Sequence, residues 1–181
     1  MLAPRRLIGL FMAILAGMIS PAMSAGPDGP ADRAEKAVTE FCLPVLAGGD
    51  AAATAEKLGI EQRYRVAPHL LDWATRNGGG TYYRYPTASG KLLIVVKAVK
   101  TQLACDVALF DVAPAEGERA FGQIDAIFQA RHYRRVKGMP ENGVKAYKGD
   151  RTLIILVGPR SGAGESDPQM HVTMKRRLYV F

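Results

Sequence analysis

Between Thr81 and Val112 the chain reads TYYRYPTASGKLLIVVKAVKTQLACDVALFDV, and this stretch decides the fold class. Thr81 to Tyr85 is aromatic and β-prone, Ser89-Gly90 marks a turn, and Leu92 to Val99 is a near-continuous apolar run with β-branched residues. Such side chains fit a pleated, half-buried surface, so Leu92 to Val99 reads as a central strand. Thr101-Gln102 turns the chain into Leu103 to Val112, where Cys105, Val107 and Leu109 alternate with Asp106 and Ala108. Successive strand residues point to opposite faces, so the two sets face opposite ways. Pro114 stops this strand. Residues 81–112 are predicted to form a three-stranded meander.

Downstream, Glu116 to Val136 has the clearest helical pattern. Phe121, Ile124, Ile127 and Phe128 form its apolar stripe, with Glu116 and Glu118 at its start and Arg131, Arg134, Arg135 and Lys137 at its end. That charge order suits the helix dipole. Gly138 and Pro140 close it. Val144 to Lys148 and Arg151 to Val157 flank Gly149-Asp150, a two-residue hairpin turn, and a loop over 158–168 leads to a last strand, Gln169 to Phe181. Upstream, Ala34, Ala37, Val38, Phe41, Cys42 and Val45 recur at helical spacing until Gly48-Gly49. Asp50 is a suitable N-cap for a second helix, Ala51 to Leu58, which Gly59 ends. Residues 60–76 are ambiguous, with a short helix possible from Ala67-Pro68. Short helices, a meander, one long helix and a second meander predict an α+β fold on a mostly antiparallel sheet. A faint echo links the two meanders, with too few matching residues to make a repeat.

The 181 residues are 48% apolar and 23% charged, with two Cys. This excludes a disordered chain and a disulfide-stapled mini-protein. Only the N-terminus is apolar enough to enter a bilayer, so a polytopic membrane protein is excluded too. Arg5 and Arg6 precede an apolar run from Leu7 to Ile19, followed by small residues around Ala22 and Ala25. That is the plan of a cleavable signal peptide over 1–25, leaving one domain over 26–181 with cleavage after Ala25 or Ala22. The alternative is an uncleaved anchor, but the run is shorter than the roughly 20 residues a spanning helix needs. Cleavage lowers the formal charge from +7 to +5, because only Arg5 and Arg6 are charged in the removed segment. Cys42 and Cys105 have no CxxC or Cys/His metal spacing around them, so in an oxidising compartment they are expected to pair. The alternative is two buried free thiols.

Catalytic patterns are weak. His69 and Asp72 would share a helix face as base and orienting partner, but no third member follows. His132 lies among arginines near the long helix's end, and His171 is out of phase with Met170, Val172 and Met174. No zinc spacing links the three histidines, no Ser sits in GxSxG or SxxK, and the glycines of 158–164 lack the Lys of a phosphate loop. No cofactor and no metal are expected.

Two basic clusters remain. One is the helix end with Arg134 and Arg135. The other is the last strand, where Lys175 and Arg177 share a face with His171 and Thr173, and with Lys145 and Tyr147 beside them in the adjoining hairpin. Arg176 interrupts the opposite, apolar face and is expected to snorkel to an edge. The bland alternative is the solvated face of an antiparallel sheet. The final residues do not alternate as an outer-membrane barrel strand requires.

With Phe41-Cys42-Leu43-Pro44 closing the first helix, a Gly-Gly break, Gly59 ending a second and Cys105 in a strand, the layout is similar to small exported alphaproteobacterial proteins of uncharacterised function. The resemblance covers residues 35–110. It implies a periplasmic address and a Cys42–Cys105 bridge, and no activity. The expected function is a non-enzymatic periplasmic domain that binds a protein partner or an anionic envelope component, with no specific nucleic acid and no transmembrane segment after cleavage. Arg134, Arg135, Lys175 and Arg177 are its candidate binding residues. The alternative is a small hydrolase working through His69 or His132.

Overall fold

A computed structural model describes residues 29–68, 70, 80–99, 101–138, 143–159 and 167–178. The first 28 residues, His69, Asp72, the loop over 160–166 and the last three residues lie outside this set, so the signal-peptide reading and the His69–Asp72 pair do too.

The chain opens with α1 (Pro30–Lys36), which widens into a π turn (Ala37–Cys42) and resumes as α2 (Leu43–Leu46). The widened turn buries Ala37, Val38, Phe41 and Cys42 together on the side facing the sheet. A short helix α3 (Ala51–Leu58) follows, its Asp50 cap accepting the Ala53 amide at 2.7 Å and Gly59 ending it at φ 66°. Then come β1 (Glu61–Arg63), β2 (Thr81–Tyr85), β3 (Lys91–Val99) and β4 (Gln102–Phe110). The long helix α4 (Pro114–Ala130) leads to β5 (Arg134–Arg135), β6 (Val144–Lys148), β7 (Thr152–Val157) and β8 (Met170–Arg177). Among the described residues no helix is long and apolar enough to cross a membrane.

The fold is α+β, and its eight strands form one antiparallel sheet in the order β1-β2-β3-β4-β8-β7-β6-β5. Two four-stranded meanders, each preceded by helix, meet at β4 and β8. Helix α4 makes this possible. Its 17 residues extend about 25 Å at the usual helical rise. That is enough to carry the chain from β4, mid-sheet, across the width of four strands to the far edge.

Helices α1 to α4 lie on one face of the sheet. Beneath them Phe41, Leu92, Ile94, Val107, Ile124, Phe128, Ile154, Leu156 and Met174 form one core. Cys42 and Cys105 are bonded through this core, with Cα atoms 5.6 Å apart, and tie the π turn to the central strand. Arg119 on α4 reaches Asp32 on α1 at 3.2 Å, and Gln123 donates to the same carboxylate at 3.0 Å. The far face carries a smaller cluster of Leu93, Val95, Ala108 and Phe110, partly covered by Val66 and Leu70.

Several boundaries differ from the sequence reading. The meanders have four strands each, because β1 and β5 are short edge strands with no apolar pattern to reveal them. Pro114 sits in the first turn of α4, where its missing N–H costs nothing, so it starts the helix as well as ending the strand region. The largest correction concerns the end of α4, which is Ala130 and not Val136. His132 takes a left-handed φ of 61° and donates to Gln129 O, Tyr133 donates back to Phe128 O, and the two rings stack edge-on at 5.7 Å. This is a Schellman ending built on histidine instead of glycine. Arg134 and Arg135 therefore belong to an edge strand and not to a helix terminus.

Candidate functional site

Strand alternation separates the two arginines. Arg134 pairs with Lys148 and Arg135 with Tyr147. Tyr147 points into the helix-side core, so Arg135 belongs to that side, and at the sheet edge it lines a hollow of about 370 Å³ with Lys137, Val144 and Lys145. Arg134 stands on the far face.

The register then connects Arg134 to residues distant in sequence. Lys148 lies opposite Leu153, Leu153 opposite Lys175, Lys175 opposite Ala104, and Ala104 opposite Lys97. Directly opposed residues share a face, so Arg134, Lys148, Leu153, Lys175, Ala104 and Lys97 form one row across six strands. At the usual strand separation it spans about 24 Å. Arg177 follows Lys175 two residues along β8 on the same face. Arg134, Lys148, Lys175 and Arg177 are exposed, Lys97 is partly so, and among the described residues none of the five makes an ion pair. Between Lys148 and Lys175, Leu153 is 43% exposed. A groove of about 520 Å³ runs here, lined by Gln102, Lys148, Asp150, Leu153, Lys175 and Arg177 among others. Asp150 is the acid on its rim.

Charge is segregated across the molecule. Among the described elements, the eight strands hold eleven Lys and Arg against two acids, Glu61 and Asp106, whereas the helices and π turn hold seven acids against four bases. The field on the far face is therefore positive, although Arg63 is paired with Glu61 and Lys91 with Asp111 there.

Asp106 is the exception within that face. It sits two residues along β4 from the row's Ala104, opposite Val95 and Thr173, only 1% exposed, and neither carboxyl oxygen has a hydrogen-bond partner among the described residues. Burial pushes its carboxyl above the ordinary range. Thr173 and, more weakly, the charges of Lys97 and Lys175 pull it back. Thr173 stands directly opposite Asp106 on β8. An alternating pattern marks Asp106 as solvent-facing; only the packed sheet buries it.

On the helix side, Asp125 of α4 is 8% exposed and accepts from Lys145 Nζ at 2.7 Å, from Gln129 Nε2 at 2.8 Å and from the Tyr147 hydroxyl. Lys145 also lies over the Phe121 ring, 4.8 Å from its centroid. Burial and the Asp125 carboxylate push the Tyr147 hydroxyl up to about 12. This fully satisfied network latches α4 to β6. It also corrects the grouping of Lys145 and Tyr147 with Lys175 and Arg177: both face the helices, and Lys148 takes their place on the basic face.

Of the histidines, His132 is exposed in the turn after α4 and His171 is half-buried on β8, opposite Ala108 and Val157. Among the described residues no three His, Cys, Asp or Glu side chains converge. Arg176, expected to snorkel to an edge, is half-buried on the helix side and donates to the Leu46 carbonyl at 2.6 Å, closing the end of α2. Compared with known proteins, the chain matches no family model, no curated protein and no solved structure.

Proposed function

We propose that the chain is an exported, non-enzymatic binding domain that holds an anionic envelope component against the far face of its sheet. The observation that carries this reading is the row of cations from Arg134 to Lys97, with Arg177 beside it, interrupted only by Leu153 and Ala104. Among the described residues these cations form no ion pair and have only the buried Asp106 beside Lys97 and Lys175. Unpaired cations at neighbouring positions repel one another, and an anionic ligand relieves that repulsion. The Cys42–Cys105 bond and the apolar N-terminal run support the periplasm of a Gram-negative bacterium as the compartment.

The test is binding of the exported chain to anionic vesicles and to lipopolysaccharide at low and physiological salt. Lys175→Glu/Arg177→Glu is compared with Lys57→Glu, an exposed reversal on α3. The row predicts binding that persists at physiological salt and is lost in the double reversal alone. Equal losses from Lys57→Glu would reduce the attraction to diffuse surface charge, screened within about 8 Å at that ionic strength.

A further inference from the structure

The row has a direction and a spacing, and both bear on what can occupy it. Resting on the anion-binding reading, we infer that the occupant is a linear acidic polysaccharide, carrying a carboxylate on each sugar or every second sugar, laid across the strands from β5 to β3.

The cations of the row are not a cluster. Arg134 and Lys148 stand on adjacent strands, about 5 Å apart at the backbone, while Lys148 and Lys175, and then Lys175 and Lys97, are two strands apart, about 10 Å. One sugar of an extended glycan advances by roughly the separation of neighbouring strands. A carboxylate on each sugar, or on every second one, therefore meets this pattern in step. A polyphosphate chain carries its charges more closely than one per strand, so most of them would find no partner.

The apolar position points the same way. Leu153 is exposed between Lys148 and Lys175, on the wall of the groove. The C–H face of a sugar ring covers such a side chain, whereas a phosphate chain has nothing apolar to offer it. A lipid surface fits less well, because the middle of the row, Lys148, Leu153 and Lys175, is set in a groove and does not protrude. A protein partner would be expected to meet aromatic side chains at the centre of the patch, and the row has none.

The experiment measures binding of oligogalacturonates from the dimer upward, by fluorescence anisotropy, to the chain recovered from an exporting host. Each cation engaged should tighten binding by about 1.5- to 5-fold, the range of exposed ion pairs. Affinity should climb with length until the oligomer spans the six strands and then level off. Arg134→Glu and Lys97→Glu, at opposite ends, should each lower the plateau by about 10-fold and bring it to shorter oligomers. Lys57→Glu should leave the curve unchanged. Because Lys97 is partly buried, the exposed Arg134→Glu decides the matter if the other variant folds poorly. A length dependence without a plateau, or polyphosphate of equal charge binding as tightly, would overturn the inference. So would vesicles binding where oligosaccharides do not, although the anion-binding reading would then survive. Failure of every anion to bind would remove both.

Discussion

Replacing Asp106 by valine should make this protein more stable. The carboxyl is 1% exposed on a central strand and has no hydrogen-bond partner for either oxygen. An unsatisfied buried polar group costs about 1–3 kcal/mol, and more when it is charged. Valine suits a pleated position between Val95 and Thr173, and Ala104 and Ala108 on either side leave room for its second methyl. A gain of about 1–3 kcal/mol at pH 7 is expected, and for a chain of this size each 1 kcal/mol raises Tm by about 2–4 °C. The sign of the pH dependence follows from the raised carboxyl. The folded state binds this proton more tightly than the unfolded state, so the wild type is spared the charge at low pH and loses stability as pH rises above the ordinary value of 3.8. The difference between Asp106→Val and wild type should accordingly be smallest below that value, grow above it, and level off once the folded carboxyl has ionised. Urea midpoints measured from pH 3 to pH 8 read this directly. Asp106→Asn, which removes the charge but leaves the orphaned dipole, should recover the pH-dependent part alone. A flat difference across the range, or a destabilised valine variant, would mean that the carboxyl has a partner in solution, and the reasoning from its isolation would fail.

Cys105→Ser should cost about 4 kcal/mol, the chain-entropy value for a loop closed across a separation of 63 residues. Denaturant unfolding with and without a reducing agent checks this, and coincident midpoints would refute it. The Tyr147 hydroxyl, pushed up to about 12 by burial and Asp125, should ionise later than exposed tyrosines in an ultraviolet titration. Its proton is held more tightly in the folded state, so stability falls as pH rises from about 10, the unfolded value, to about 12. Asp125→Asn should bring that ionisation earlier while leaving Tyr83, which burial and Asp50 also raise, where it was. An unchanged titration curve would exclude the Asp125–Tyr147 latch.

Sequence by itself determined whatever rests on local pattern. The run from Leu92 to Val99, the alternation of Cys105, Val107 and Leu109, the cap at Asp50 and the stop at Gly59 each reflect a period or a dihedral preference that acts within a few residues. Those signals placed most of the elements and made the class α+β. The burial alternation of β8 was legible for the same reason, and with it the exposure of Lys175 and Arg177. The end of α4 was not, because His132 does the work usually given to glycine and its left-handed turn is held by the Tyr133–Phe128 contact. The basic row was legible only in fragments. Lys175 could be read from β8, but Lys97, Lys148 and Arg134 join it through five strand pairings, of which β4 with β8 links segments about 70 residues apart. Arg134 and Arg135, adjacent in sequence, were parted by a two-residue strand that no periodicity announces. Asp106 reads as solvent-facing by alternation and is buried by its neighbours in the sheet. Register is a property of paired strands, and a one-residue slip would turn every one of these side chains to the other face. Only the tertiary structure decides it, because the contacts that hold it lie between segments that local pattern cannot relate.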